Sequence, residues 1–280
     1  MKITILGSGG FGYPLVFCNC ENCNKARILG GKNIRKRASI LVNDEMIVDL
    51  TADTCVAMTM HDKNMGKVKY LLQTHTHLDH FDINHFTSLD YKYATNREYD
   101  LNLICSTLAF EDINKKANQY DKMDLLSQDY LNKIKLQPHE LNHGESLKIN
   151  DYEIKAIHCT HHEQIGAQNY LIKNKGKTLL YATDTPMITD VALEELKGEK
   201  IDCLILDESF GVNDFMASHL NIKGFVEYVQ KLKDSKLLTA DCQVYATHIT
   251  HDGNPCHEEL EEILNQYGYH AAYDGLEIKL

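Results

Sequence analysis

Several things are scarce in this 280-residue sequence. No apolar run approaches the roughly 18 consecutive residues that a membrane-crossing helix needs, so no membrane span is expected. There are four prolines, no low-complexity segment and no long linker. Nothing therefore marks an internal boundary, and one domain over residues 1–280 is the expectation. Positive charge is sparse: 29 Lys and Arg face 40 Asp and Glu, giving a formal net charge of −11. Such a surface repels nucleic acid, which disfavours RNA and DNA as partners. The stretch from Lys25 to Lys36, with Arg27, Arg35 and the adjacent Arg37, is the one basic exception. The opening apolar stretch is only a few residues long and runs into Gly7-Ser8-Gly9-Gly10, so it does not read as a signal peptide. A cytoplasmic location is expected.

Apolar residues make up 43% of the chain, enough for one sizeable core. Short β-branched runs at Lys2–Leu6, 39–42, 46–50 and 68–73 read as strands, with a turn at Asn43-Asp44 and a weaker strand at 103–105. A second series follows at 152–157, 168–172, 178–182, 201–206 and 244–246. Apolar residues at helical spacing mark 108–117, 191–196, 222–233 and 257–266. Two similar blocks of strands and helices imply an α/β fold with two mixed sheets packed face to face and helices outside. Residues 84–135 read as a helical insertion between the blocks, either a packing element or the contact of a homodimer.

The strand at 68–73 leads into His75-Thr76-His77-Leu78-Asp79-His80. Imidazoles at alternate positions of an extended segment point the same way and can share one metal ion. Asp79 and His80 then turn toward a neighbouring position, where a carboxylate and an imidazole suit a second divalent ion. Nine cysteines is an odd number, and three of them, Cys18, Cys20 and Cys23, lie within six residues. In a cytosolic chain so tight a group points to metal rather than to disulfides.

His-x-His-x-Asp-His after a strand resembles the signature of the metallo-β-lactamase superfamily, whose αββα sandwich agrees with the two-block pattern. The resemblance implies further ligands downstream: His161 after the strand at 154–157, Asp184 in Tyr181-Ala182-Thr183-Asp184-Thr185, and His248 in Tyr245-Ala246-Thr247-His248. It places His75, His77 and His161 on one ion and Asp79, His80 and His248 on another, with Asp184 bridging. His158 and His162 are alternatives to His161. The cysteine spacing suits a structural zinc that needs one more ligand, and His251, three residues after His248, is the natural fourth. Three reduced cysteines clustering in a loop is the plainer alternative.

Gly7-Ser8-Gly9-Gly10, Pro14 and the Cys-x-Cys-x-x-Cys run resemble the PhnP-type cyclic phosphodiesterase branch, as do Thr247 to His251 and the ending Tyr273-Asp274-Gly275-Leu276-Glu277-Ile278. The branch that assists biosynthesis of the redox cofactor PQQ begins similarly. The resemblance implies a metal-dependent hydrolase with two catalytic divalent ions (zinc, manganese or iron) and one structural zinc. A bridging water, oriented by Asp79, would attack a small cyclic or diester phosphate such as phosphoribosyl 1,2-cyclic phosphate. It places His219 beside the metals, where it can donate a proton to the leaving oxygen. Asp207-Glu208-Ser209 follows a strand and is expected to face the same site, although Glu208 and Ser209 depart from the branch pattern. An RNA-processing endonuclease of the same superfamily and a non-catalytic metal-bound accessory protein are the competing expectations.

Overall fold

The computed structural model describes residues 1–90, 93–94 and 96–280. The chain first lays down β1 (Lys2–Gly7), the helix α1 (Glu21–Leu29), β2 (Ser39–Val42), β3 (Met46–Val48), β4 (Tyr70–Leu72), β5 (Leu101–Cys105) and β6 (Leu136–Glu140). It then forms β7 (Ser146–Ile149), β8 (Tyr152–His158), β9 (Gln168–Asn174), β10 (Lys177–Ala182), β11 (Ile201–Asp207), β12 (Leu238–Thr247) and β13 (His270–Ala271). The last strand, β14 (Glu277–Lys279), returns to the edge of the first sheet beside β1. The two sheets run β14-β1-β2-β3-β4-β5-β6 and β13-β12-β11-β10-β9-β8-β7. Pairing is parallel from β3 to β6 and from β10 to β13, and antiparallel elsewhere.

Alternation of side chains dictates the layers. Ile3, Ile5, Ile40, Val42, Met46, Val48, Tyr70 and Leu72 of the first sheet meet Ile154, Ala156, Leu179, Tyr181, Cys203 and Ile205 of the second in a central core. The residues between them face outward: Leu41, Ile47 and Leu71 pack under α2 (Thr54–Met60), α4 (Thr107–Asp121) and α5 (Gln128–Ile134). Leu180, Ala182, Leu204 and Leu206 likewise pack under α6 (Asp190–Glu195), α7 (Ile222–Asp234) and α8 (His257–Asn265). Strands buried on both faces need apolar residues at every position, which is why they read as continuous runs. A one-residue slip of β3 would trade Met46 and Val48 for Ile47 on the central face, so register is strongly specified. The result is an αββα sandwich, as expected.

The described residues of 84–135, expected as a helical insertion, hold the short helix α3 (Asn84–Thr87), β5, α4 and α5. Because β5 lies between β4 and β6, this stretch is part of the first sheet and of its outer helical layer. Ser106 caps α4 by accepting from Ala109 N at 3.1 Å, and Ala109, Phe110, Ile113 and Ala117 form its buried stripe. Strands β6, β7, β13 and β14 were not legible. All four are sheet edges with exposed positions, where polar residues are tolerated and apolar alternation fades. β6 even carries Pro138, which an edge strand accommodates. Among the described residues no helix is long and apolar enough to cross a membrane.

Candidate metal centre

Six segments converge just past the carboxyl ends of β3, β4, β8, β10, β11 and β12, the usual position for a site on such sheets. The histidine motif follows β4 through Gln73 and Thr74. Its turn is held by side chains. The fully buried carboxylate of Asp49, one residue past β3, accepts hydrogen bonds from Gln73 Nε2 at 3.0 Å, Thr74 N at 2.9 Å and Thr74 Oγ1 at 2.8 Å. Its other oxygen lies 2.8 Å from His80 Nδ1. Gln73 Nε2 also donates to the carbonyls of His75 and His80, at 2.7 and 3.0 Å. These contacts fix the ring of His80 with Nε2 facing the site. Burial opposes charge on His80, but Asp184, Asp49 and Asp79 around it outweigh that and raise its pKa well above the usual imidazole range.

Two sets of donors result. In the first, His75, His77 and His161 bring one nitrogen each within 4.8 Å of the others. His75 Nε2 is 3.0 Å and His161 Nε2 3.3 Å from His77 Nδ1. In the second, Asp79, His80, Asp184 and His248 converge within the same limit. His80 Nε2 is 3.3 Å from His248 Nε2. Asp184 spans both sets: Oδ1 lies 3.5 Å from His161 Nε2, and Oδ2 lies 2.7 Å from His80 Nε2 and 3.2 Å from His248 Nε2. Asp184 and His248 each follow a strand end with left-handed backbone, φ 48° and 60°, and this turns the side chain over the strand end. Gly10 packs against His248, where an added Cβ would stand 3.1 Å from the imidazole Cε1 and press on the ring.

This donor chemistry fits divalent ions. Facing imidazole nitrogens can share at most one proton, whereas a cation satisfies all of them. With metal–nitrogen bonds of about 2.0–2.1 Å, tetrahedral ligands stand roughly 3.4 Å apart, close to the separations in the first set. His158 points elsewhere, its Nδ1 3.0 Å from Thr189 Oγ1 and its N–H donating to Glu195. His162 is exposed, its ring centroid 4.5 Å from that of His77, and it belongs to neither set. Of the three alternatives the structure thus brings His161 among the donors.

His219 sits beside both sets and also converges with His161 and Asp184, and with Asp207 and His248, within the same 4.8 Å. Its ring stacks on His248 at 5.1 Å, and its Nδ1 is 2.9 Å from Asp207 Oδ2 and 3.9 Å from Asp184 Oδ1. Burial lowers its basicity, but the charge of Asp207 and their hydrogen bond prevail, raising the pKa to about 9. Ser209 Oγ is 2.8 Å from His248 Nδ1 and 3.1 Å from Asp207 Oδ1. Glu208, expected to face the site with its neighbours, instead turns away. Asp207 and Ser209 lie two positions apart and share a face that Glu208 cannot. The Glu208 carboxyl is fully buried, and burial, then the charge of Asp207, pushes its pKa well up against the opposing Gly211 N–H, Arg35 charge and Asn254 side chain.

The cysteines form a separate cluster. Cys18, Cys20 and Cys23 bring their sulfurs together with a nitrogen of His251. His251 Nδ1 is 3.4 Å from Cys18 Sγ and 3.5 Å from Cys20 Sγ. Zinc bonds of about 2.3 Å to sulfur and 2.0–2.1 Å to nitrogen set a tetrahedral edge near 3.6 Å, so these donors fit that ion too. Burial raises the Cys20 thiol, but the Cys23 N–H and the His251 side chain outweigh it and bring it down to about 6. Asp49 was not singled out in the sequence. Its only signal is a carboxylate directly after an apolar strand.

A family described as the beta-lactamase superfamily domain matches residues 48–249. The chain belongs to that family. Among solved structures, a diphosphatase of the PhnP family is 22% identical with a TM-score of 0.74, covering 99% of this chain and 96% of that one. Zinc-bound PqqB from Methylobacterium extorquens is 15% identical with a TM-score of 0.68, covering 100% of both chains. The human short-form tRNase Z is 13% identical with a TM-score of 0.64, covering 100% of this chain and 99% of that one. At these identities the likeness is one of fold. No curated protein sequence matches the chain.

Proposed function

We propose that this protein is a metal-dependent phosphodiesterase that hydrolyses a small cyclic or diester phosphate, with phosphoribosyl 1,2-cyclic phosphate as the type of substrate. The observation that carries the reading is Asp184, whose two oxygens face two separate donor sets while His219, held by Asp207, stands beside both. His75, His77 and His161 would hold one divalent ion, Asp79, His80 and His248 a second, and Asp184 both. Such ions supply positive charge for the phosphate oxygens and acidify a water molecule. Asp79 orients that water, because its Oδ2 lies among the donors, 3.5 Å from His248 Nε2.

His219 supplies the remaining need. A sugar alkoxide leaves poorly unless it receives a proton, and an imidazolium held by Asp207 carries one at neutral pH. The acidic chain gains little from a long phosphate backbone, which favours small diesters over structured RNA. Cys18, Cys20, Cys23 and His251 would hold a structural zinc that ties the N-terminal loop to the segment bearing His248.

The test is a panel of small cyclic diesters, linear diesters, monoesters, β-lactams, thioesters and a folded RNA, offered to protein loaded in turn with zinc, manganese or iron. Turnover should be fastest on small diesters and should be lost in Asp184→Ala. Salt-sensitive cleavage of the folded RNA without turnover of any small diester would instead establish a nuclease. A loaded protein inert on the whole panel would leave the accessory-protein reading.

A further inference from the structure

Away from the metal centre, Cys55 on α2 faces His85 across a cavity on the outer side of the first sheet. The thiol sulfur is 3.2 Å from His85 Nδ1, and His85 Nε2 is 2.9 Å from the carbonyl oxygen of Thr51. A carbonyl only accepts, so Nε2 carries the ring proton and Nδ1 presents its lone pair to the thiol. A nucleophile, a base in the required tautomer and a group orienting that base are thus in line. Among the described residues neither side chain belongs to a metal-binding set. Both line a cavity of about 170 Å³ with Ile47, Leu50, Met65, Val68, Leu71 and Leu89. An apolar cavity of about 150 Å³ holds a benzene molecule, so this one has room for an apolar group of about six carbons. Burial lowers the basicity of His85, yet the hydrogen bond and charge of Cys55 raise it above the ordinary value, as expected for proton sharing within the pair.

We propose that Cys55 is an activated thiol whose adjoining cavity admits an α,β-unsaturated carbonyl compound with an apolar tail, and that His85 is the base of its conjugate addition. His85 Nδ1 takes the thiol proton and the sulfur bonds to the β-carbon. The electron pair of the C=C bond moves to the α-carbon, and His85 returns the proton there. No oxidant, reductant or leaving group is needed. The mostly apolar lining favours an apolar tail; Arg97 also borders the cavity, but its guanidinium donates to the carbonyls of Leu89, Ile134 and Lys135.

The test uses the full metal-loaded chain. Initial rates of adduct formation at Cys55 and at Cys242, a second free and half-buried thiol, are followed by peptide mass spectrometry with trans-2-nonenal and with acrolein. Each rate is divided by that of glutathione with the same aldehyde. Cys55 should react at least about tenfold faster than Cys242, reflecting the imidazole base 3.2 Å from its sulfur, and should prefer the six-carbon tail of nonenal. His85→Gln should remove the rate advantage with both aldehydes. Ser88→Phe, placed on the exposed rim of the cavity, should abolish the preference for nonenal and spare the acrolein rate. Equal rates at Cys55 and Cys242 in the wild type would overturn the proposal. So would an unchanged rate in a folded His85→Gln protein, or indifference to the tail in the wild type.

Discussion

Asp49→Asn offers a sharp test of how the metal centre is built. In the wild type one carboxylate oxygen accepts from Gln73 Nε2, Thr74 N and Thr74 Oγ1, and the other faces His80 Nδ1 at 2.8 Å. An asparagine keeps one acceptor oxygen. Three donors hold that oxygen toward Gln73 and Thr74, so the amide NH2 falls where the second oxygen was. It then meets His80 Nδ1 as donor to donor unless Nδ1 loses its proton. The neutral imidazole would move its proton to Nε2, the nitrogen that faces His248 and Asp184. A protonated Nε2 cannot ligate. Losing such an orienting partner costs about 10–100-fold in metal affinity, or roughly 1.4–2.8 kcal/mol. The fold should survive, because the amide preserves the buried shape and the contacts to Gln73 and Thr74. The assay is competitive chelation with elemental analysis, in which zinc at the cysteine cluster serves as an internal reference. Wild-type affinity of the catalytic pair in Asp49→Asn would refute the idea that Asp49 fixes His80 as a ligand.

Cys20→Ser and His251→Ala should both lower the melting temperature and remove one of three ions, because a structural zinc contributes folding free energy. If His251→Ala left melting unchanged and emptied the catalytic pair, the division between His248 and His251 would be wrong. His219→Ala should retain all three ions yet slow a sugar phosphodiester by roughly 10²–10⁴-fold, with a much smaller loss on a nitrophenyl diester, whose leaving group hardly needs a proton. Equal losses on both substrates would assign His219 to charge stabilisation instead. A general acid works only while protonated, so activity should fall as pH rises through the His219 pKa, about 9 before the opposing effect of bound cations. Removing the negative charge in Asp207→Asn should move that falling limb to lower pH, and a limb that stayed in place in the pH–kcat profile would exclude His219 as its source.

The parts of this molecule that its sequence discloses share one physical property: a single local constraint sets their chemistry. β10 and β11 are buried on both faces along 179–182 and 203–206, so those positions are apolar and the runs announce themselves. His75, His77 and His80 are close in sequence as well as in space, and their spacing alone brings imidazoles together. The four edge strands lack that constraint, since half their backbone faces water and composition is free to drift. Asp49 is hidden for the opposite reason. It is tightly constrained, by Gln73, Thr74 and His80, but every partner lies at least 24 residues away. Cys55 and His85, 30 residues apart, are another case of this kind. Asp207 and Ser209 lie between: their place after a strand was visible, but period-2 alternation past that strand is what separates them from Glu208. A carboxylate whose role is to aim another residue's imidazole leaves no spacing to read, because the chain segments it joins are brought together only when the two parallel strands β3 and β4 pair.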